Sequence, residues 1–205
     1  MTTLYLARHG QTLWNREHRL QGWHDSPLSD LGLQEAAALR ERLRNVHLDA
    51  IDSSPLGRAL RTAEIARGDR DLAIHPHNGL REIKLGVWEG MVAETARATH
   101  PEAFERFWKA PHLYQPVDGG ETFQEVQERV VSTLSAIAHA RPEQTLLVVT
   151  HTIALKVALA YFENRPIAEI WDLPPIRSAS LSIVALEGQS AKVLLQGDDS
   201  YLPEA

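Results

Sequence analysis

The chain of 205 residues contains no cysteine. Disulfides, thiolate metal sites and cysteine nucleophiles are excluded together. A reducing cytoplasm is the expected compartment, although absence of cysteine only permits it. No apolar run approaches the roughly 20 residues of a membrane-spanning helix. The opening MTTLYLARHG has no basic segment followed by an apolar one, so it reads as mature protein entering a first strand, not as a signal peptide. Basic residues are also in short supply. Lys and Arg number 21 against 27 Asp and Glu, giving a formal charge of −6 and a pI near 5.9. That balance gives no support to a nucleic-acid or anionic-membrane partner, which would call for a basic patch. Internal repeats, low-complexity tracts and flexible linkers are missing, and so are the HExxH, P-loop and GxSxG patterns.

What is present is ordinary in bulk: 43% apolar and 23% charged residues. The length fits one domain, residues 1–205, able to bury a substantial core. Strand-like runs occur at Thr3–Ala7, Asp49–Asp52, Asp71–Ile74, Thr145–Thr150 and Leu181–Leu186, with another at Ala191–Gln196. Helical periodicity lies between most of them. Ala36, Leu39, Leu43 and Val46 share one face of a helix starting near Asp30. Ser54 and Pro55 read as N-cap and first residue of a second helix, with Leu56, Leu60 and Ala63 inward. Thr122 and Glu125 form a capping box before a stripe of Phe123, Val126, Val130, Leu134 and Ile137. A further helix follows His151, with Leu155, Ala158 and Leu159 inward. Alternating strands and helices predict an α/β fold with a mostly parallel sheet. LYLA and LLVV lack polar alternation, as central strands covered on both faces do. Residues of about 78–120 depart from the pattern and read as an irregular cap insertion of short helices.

Two apolar strands end in histidine, at His9 in LYLARHG and at His151 in LLVVTH. Ligands of open parallel sheets bind beyond the carboxyl ends of the strands, so two central strands would bring these imidazoles together. Arg8 supplies a permanently charged planar fork suited to phosphate. Arg58 lies near a helix start, off the apolar stripe, where the helix N-terminus also favours anions. Arg61, one turn on, reads as a solvated helix arginine. Together these residues describe a phosphoryl site without metal. A neutral imidazole is a competent nucleophile if its other nitrogen donates to a carbonyl. The guanidinium groups and the second histidine would stabilise charge on the equatorial oxygens. Expelling an alkoxide needs an acid of raised pKa. Glu82, beside Ile83, Leu85 and Trp88, is the candidate, and Glu89 is its competitor. His75 and His77 alternate at spacing that could ligate a metal, but no partner ligand stands out. No metal or cofactor is expected.

These segments resemble known motifs. LARHGQTLWN, QGWHDSPLSDLG, SSPLGRALRTAE, LREIKLGVWEG, GGETFQEV and VVTH are similar, in order, to those of the histidine phosphatase superfamily, the phosphoglycerate mutase-like fold. The resemblance implies a three-layer α/β/α sandwich. It implies that His9 is transiently phosphorylated, that Arg8, Arg58 and His151 form the phosphate pocket, and that Glu82 is the acid and then the base. Asn15, Gln21 and Gly22 match positions on the substrate side. The short chain and the LREIKLGVWEG segment resemble the phosphatase branch, and FWKAPHLYQP resembles bacterial broad-specificity phosphatases of the PhoE type. That similarity makes Trp108, His112 and Tyr114 candidates for an apolar substrate wall, or else for packing of the cap. Thr152 stands where the family usually has glycine. It keeps a backbone N–H there but adds a Cβ and a hydroxyl, which bears on pocket size.

The expectation is a metal-independent phosphomonoester hydrolase acting on small phosphorylated metabolites and releasing inorganic phosphate. The rival readings are a phosphoglycerate mutase, which returns the phosphoryl group to substrate, and a module that binds phosphorylated ligands without turnover. The physiological substrate and the oligomeric state are not legible.

Overall fold

The computed structural model describes residues 1–188 and 190–203. Its centre is strand β1 (Thr2–Arg8), followed by a short helix α1 (Leu13–Arg16), helix α2 (Asp30–Arg42), strand β2 (Ala50–Ser53), helix α3 (Gly57–Arg67) and strand β3 (Ile74–Pro76). Helices α4 (Ala93–Thr99), α5 (Pro101–Lys109) and α6 (Phe123–Ala140) lead to strand β4 (Thr145–Thr150) and helix α7 (Thr152–Phe162). Strands β5 (Leu181–Glu187) and β6 (Ser190–Asp198) complete the sheet. The order is β3-β2-β4-β1-β5-β6. Pairings among β1, β2, β3 and β4 are parallel, and β5 and β6 are antiparallel additions on one side.

Successive residues of a strand face opposite sides, so a strand without polar alternation feeds two cores. Leu4, Leu6, Leu146 and Val148 pack with Val126, Val130 and Leu134 of α6 and with Leu155 and Leu159 of α7. Ala7, Leu147, Val149 and Ile51 pack with Leu39 of α2 and with Ala59, Ala63 and Ala66 of α3. The result is the expected three-layer α/β/α sandwich. Each fully buried Leu or Ile on these faces contributes about 1.5–3 kcal/mol relative to exposure. The Thr122–Glu125 capping box opens α6 as expected, with the Thr122 hydroxyl oxygen accepting from the Glu125 N–H.

Residues 78–120 run as short helices and turns around Trp88. Its ring meets Phe104, Phe107 and Tyr114 at centroid separations of 5.8–5.9 Å. Leu80, Ile83, Leu85, Phe107 and Tyr114 join the same core as α6 and α7. The segment therefore extends one face of the sheet.

Three local expectations need correction. Helix α3 begins at Gly57 behind Leu56, with no side-chain cap. Ser54 lies two residues before that cap; its hydroxyl accepts weakly from the Leu56 N–H at 3.4 Å and is 2.8 Å from Nε2 of His151. The buried side of α3 is Arg58, Ala59, Thr62, Ala63 and Ala66, with Leu60 only half-buried. Strand β3 lies at Ile74–Pro76, so Asp71–Ala73 precede it. Helix α2 ends at Arg42, and Val46 packs on the core from the following turn.

Candidate active site

Strands β1 and β4 are parallel neighbours with Arg8 opposite Thr150. The next residue on each is therefore a histidine, and the His9 N–H extends the ladder to the Thr150 carbonyl at 3.0 Å. The two imidazole centroids lie 5.1 Å apart. Both rings are buried, at 3% and 0% exposure, so neither is a loop histidine in solvent.

The tautomer of His9 follows from its partners. Nδ1 is 2.7 Å from the Gly10 carbonyl, which can only accept, so Nδ1 carries the hydrogen. Nε2 is left with its lone pair, and Nε of Arg58 donates toward it at 3.3 Å. Burial pushes the His9 pKa well down, and the charges of Arg58 and Arg8 push it further. His151 is also pushed well down by burial, then by Arg58, His9 and Arg8. Its Nδ1 is buried without a hydrogen-bond partner. Two neutral imidazoles thus stand among cations.

Arg58 is not off the packed face of α3, as its position suggested; its side chain is 1% exposed. It donates through Nη1 to the His24 carbonyl at 2.8 Å and to Asp25 at 2.9 Å, and through Nη2 to the Gly22 carbonyl at 2.8 Å. Desolvation lowers its pKa, with Asp25 opposing. Asp25 also accepts weakly from the Arg58 N–H at 3.4 Å, so the start of α3 already faces a carboxylate of this chain. Arg61 pairs with Glu64 at 2.9 Å in solvent, as expected of a helix-surface arginine.

Gly22 occupies a backbone conformation and a space that both favour glycine. Its φ is +54°, and an added Cβ would sit 2.4 Å from Oε1 of Glu89. Gln21 is buried with Oε1 unpartnered. Asn15 spends its side-chain oxygen on the α1 capping box, accepting from the Thr12 N–H at 3.1 Å. Arg8 donates through Nη1 to the Ile176 carbonyl at 2.9 Å, and its Nε is buried and unpartnered. Burial lowers the Arg8 pKa, while Glu82 and Glu35 raise it.

Glu82 is fixed by backbone donors. Its carboxylate accepts from the N–H groups of Ile83 at 3.0 Å, and of Ile153 and Ala154 at 3.1 Å each. The last two belong to the first turn of α7, where free N–H groups favour an anion. Thr152, the first residue of that helix, is half-buried between His151 and these donors. Glu89, the competitor, is built into the scaffold. It accepts from the N–H groups of Trp23 at 2.9 Å and Leu85 at 3.1 Å.

Several supporting residues went unnoticed in the sequence. Arg129 of α6 donates to the carbonyls of Gly79, Arg81 and Glu82 at 2.7–3.0 Å and pairs with Glu121 at 2.8 Å. The Trp23 indole N–H donates to the Glu82 carbonyl at 2.8 Å. Lys156, buried on α7, donates to the carbonyls of Ile170, Leu173 and Pro174 at 3.1–3.3 Å, in the segment that presents Ile176 to Arg8. Only the unusual buried lysine in an apolar helical run gave a sequence signal.

Elsewhere, His77 meets Asp52 at 2.7 Å, a partner the sequence did not reveal. Arg141 also pairs with that carboxylate. Among the described residues no group of three or more His, Asp or Glu side chains could hold a metal ion. Tyr114 belongs to the core, with its hydroxyl buried and unpartnered, so it does not wall an open pocket. Trp108 stacks on Trp171 with centroids 4.6 Å apart, and His112 is exposed. No helix among the described residues is long and apolar enough to cross a membrane.

Comparison with known proteins agrees with this geometry. The chain is 33% identical over 205 residues to phosphoserine phosphatase 1 of Hydrogenobacter thermophilus, covering 100% of this chain and 96% of that protein. It is 33% identical over 201 residues to a probable phosphoglycerate mutase, GpmB, of Salmonella arizonae, covering 96% and 90%. The solved structure of Bacillus stearothermophilus YhfR is 44% identical, covers 99% of this chain and 100% of its own, and superposes with a TM-score of 0.96. The model of the histidine phosphatase superfamily, branch 1, matches residues 4–199. With its paired strand-end histidines inside that match, the chain belongs to branch 1 of the histidine phosphatase superfamily.

Proposed function

We propose that this chain is a metal-independent phosphomonoester hydrolase that works through a phosphohistidine at His9. The observation that carries the reading is the His9 ring: Nδ1–H is committed to the Gly10 carbonyl, and Nε2 keeps its lone pair between Arg58 and His151. In the first step the Nε2 lone pair forms a bond to phosphorus, and the bond from phosphorus to the leaving oxygen breaks. Glu82 supplies the proton that oxygen needs; its three backbone donors favour the ionised form, so it takes that proton up when the negatively charged substrate is bound beside it. In the second step Glu82 takes a proton from water, whose oxygen attacks phosphorus, and inorganic phosphate leaves as His9 is restored. Arg8, Arg58 and His151 offset the charge on the equatorial oxygens. Gly22 belongs to this pocket through its carbonyl, which accepts from Arg58, and Asn15, Gln21 and Thr152 are assigned to its substrate side. Substrates are small phosphorylated metabolites, and the setting is cytoplasmic.

The test is hydrolysis of a generic aryl phosphate with a chelator present. Activity should persist, an acid-labile phosphoenzyme should be trapped on rapid quenching, and both should vanish in His9→Ala. Activity that returns only with added metal would sink the mechanism. A second reading follows from the similarity to a probable phosphoglycerate mutase. Interconversion of 2- and 3-phosphoglycerate after priming with bisphosphoglycerate, with little free phosphate, would select it. Binding of phosphorylated ligands with no phosphoenzyme would select a non-catalytic module.

A further inference from the structure

Glu35 lies on α2, one turn in from its start, and is 4% exposed. Nothing in the reaction above uses it. Its Oε2 accepts from the Gln11 N–H at 2.7 Å. That N–H and the Gly10 carbonyl belong to one peptide group, and the Gly10 carbonyl accepts from Nδ1 of His9, also at 2.7 Å. The described residues contain no cis peptide bond, and a trans peptide points its C=O and N–H in opposite directions. The hydrogen bonds therefore run in series: carboxylate, peptide, imidazole. Both distances are at the short end of N–H···O bonds, and bonds in series polarise one another.

The surroundings hold this peptide rigidly. The Gly10 N–H donates to the Thr62 hydroxyl at 3.0 Å, and that hydroxyl donates to the Arg58 carbonyl at 2.8 Å. A Cβ on Gly10 would lie 2.4 Å from the Gly32 carbonyl oxygen, and one on Gly32 would lie 1.9 Å from the Gln11 carbonyl oxygen. The start of α2 and the turn after β1 thus touch backbone to backbone. Arg8 and Arg177 are the cations that face Glu35.

We propose that Glu35 is a positioning residue that acts on His9 through the Gly10–Gln11 peptide, fixing the Nδ1–H tautomer and favouring the positive charge the ring gains on phosphorylation. The proposal rests on His9 being the nucleophile. A carboxylate at the far end of the chain makes the Gly10 oxygen a better acceptor, as a buried aspartate does when it contacts a catalytic histidine directly. Here one peptide group stands between the two.

The experiment compares wild type, Glu35→Gln and Glu35→Leu as full chains. Glutamine keeps an acceptor and loses the charge; leucine loses both. Three readouts are taken: aryl phosphate kinetics, the rate of phosphoenzyme formation, and the nitrogen shifts of the His9 ring in histidine-labelled protein. Glu35→Leu should lower kcat about tenfold or more with KM changed less than twofold. Its His9 Nδ1–H signal should weaken, and the acid limb of kcat/KM should move to lower pH, because removing a negative charge makes the imidazole less basic. Glu35→Gln should recover most of kcat but keep part of the shift in the limb. If Glu35→Leu does not fold, the limb and ring shifts of Glu35→Gln decide alone. Variants that match wild type in ring shifts, pH limb and phosphorylation rate overturn the role of Glu35. Wild type that forms no phosphohistidine overturns the reading of His9, a failure distinguishable from the first because it appears before any substitution.

Discussion

Arg129→Met tests whether Glu82 is placed by α6. The guanidinium donates to three consecutive-loop carbonyls, Gly79, Arg81 and Glu82, and pairs with Glu121 through two nitrogens. Methionine has similar length and removes every donor while preserving the stem packing. Removing one partner of a buried pair typically costs 3–5 kcal/mol. The Arg129 and Glu121 side chains are 21% and 17% exposed, so water reaches part of the site and about 3 kcal/mol is the reasonable figure. For a chain of this size each kcal/mol moves Tm by about 2–4 °C, so the fall should be about 6–12 °C. Activity should fall further than stability explains, because at 25 °C most molecules remain folded while the segment bearing Glu82 has lost its anchor. The kcat for an aryl phosphate should drop about 10²-fold with KM little changed. Arg129→Lys should restore little, since a single ammonium cannot span three carbonyls and a bidentate carboxylate. Calorimetry and steady-state kinetics on the three proteins check this. An Arg129→Met variant with wild-type kcat would refute the claim that α6 positions the acid.

Four other perturbations have definite outcomes. Arg58→Lys should lower kcat/KM by about 10²–10³-fold, the usual effect of losing a preorganised donor to the developing charge, in an assay of aryl phosphate turnover. Gly10→Ala places a Cβ 2.4 Å from a backbone oxygen, so it should destabilise by about 2–3 kcal/mol in urea unfolding and abolish activity. Tyr114→Phe removes a buried hydroxyl without a partner and should leave stability unchanged or raise it by about 1 kcal/mol; a loss would mean that the hydroxyl is hydrogen-bonded. His9 and His151 both have pKa values well below 6.5, so the unfolded chain binds their protons first. Stability is therefore full above about pH 6.5 and should fall as pH drops below it, by about 1.4 kcal/mol per pH unit for each histidine. Glu35, raised by burial, acts in the opposite sense at lower pH. Thermal melts in phosphate-free buffer, with His9→Ala and His151→Ala as controls, measure the slope.

The sheet was legible because its central strands carry two cores. LYLA and LLVV have no polar face, and only a strand covered on both sides can be written that way. Once both are central and parallel, the histidines that end them must meet, which the one-residue register between Arg8 and Thr150 realises. The edge strand β3 was misplaced by three residues, because it packs on one side only and its exposed His75 and Pro76 leave no pattern. Arg58 departs from its expected place for a related reason. Periodicity ranks a charged residue as outward, but here the inward position is lined by the carbonyls of Gly22 and His24 and by Asp25, which solvate the guanidinium in place of water. No helical pattern can announce acceptors that arrive from a loop more than 30 residues upstream.

The same limit explains which carboxylates could be read. Glu82 stands out in the sequence by its apolar neighbours, but what fixes its side chain is the first turn of α7, some 70 residues away. Asp25 meets the start of α3 and Glu35 meets the turn after β1 by equally distant contacts. In each case a carboxylate answers backbone N–H groups that the fold exposes, in a chain that already carries excess negative charge. Each of those acids also interacts with an arginine of the site. Arg8 is held by Ile176 and by the charges of Glu82 and Glu35, and Arg58 is held by Asp25. On the proposed reading, a phosphate dianion meets two arginines that already interact with carboxylates of this chain. The acidity of the whole chain is thus compatible with an anionic substrate, because what such a substrate meets is the local charge of Arg8 and Arg58, not the sum over the chain.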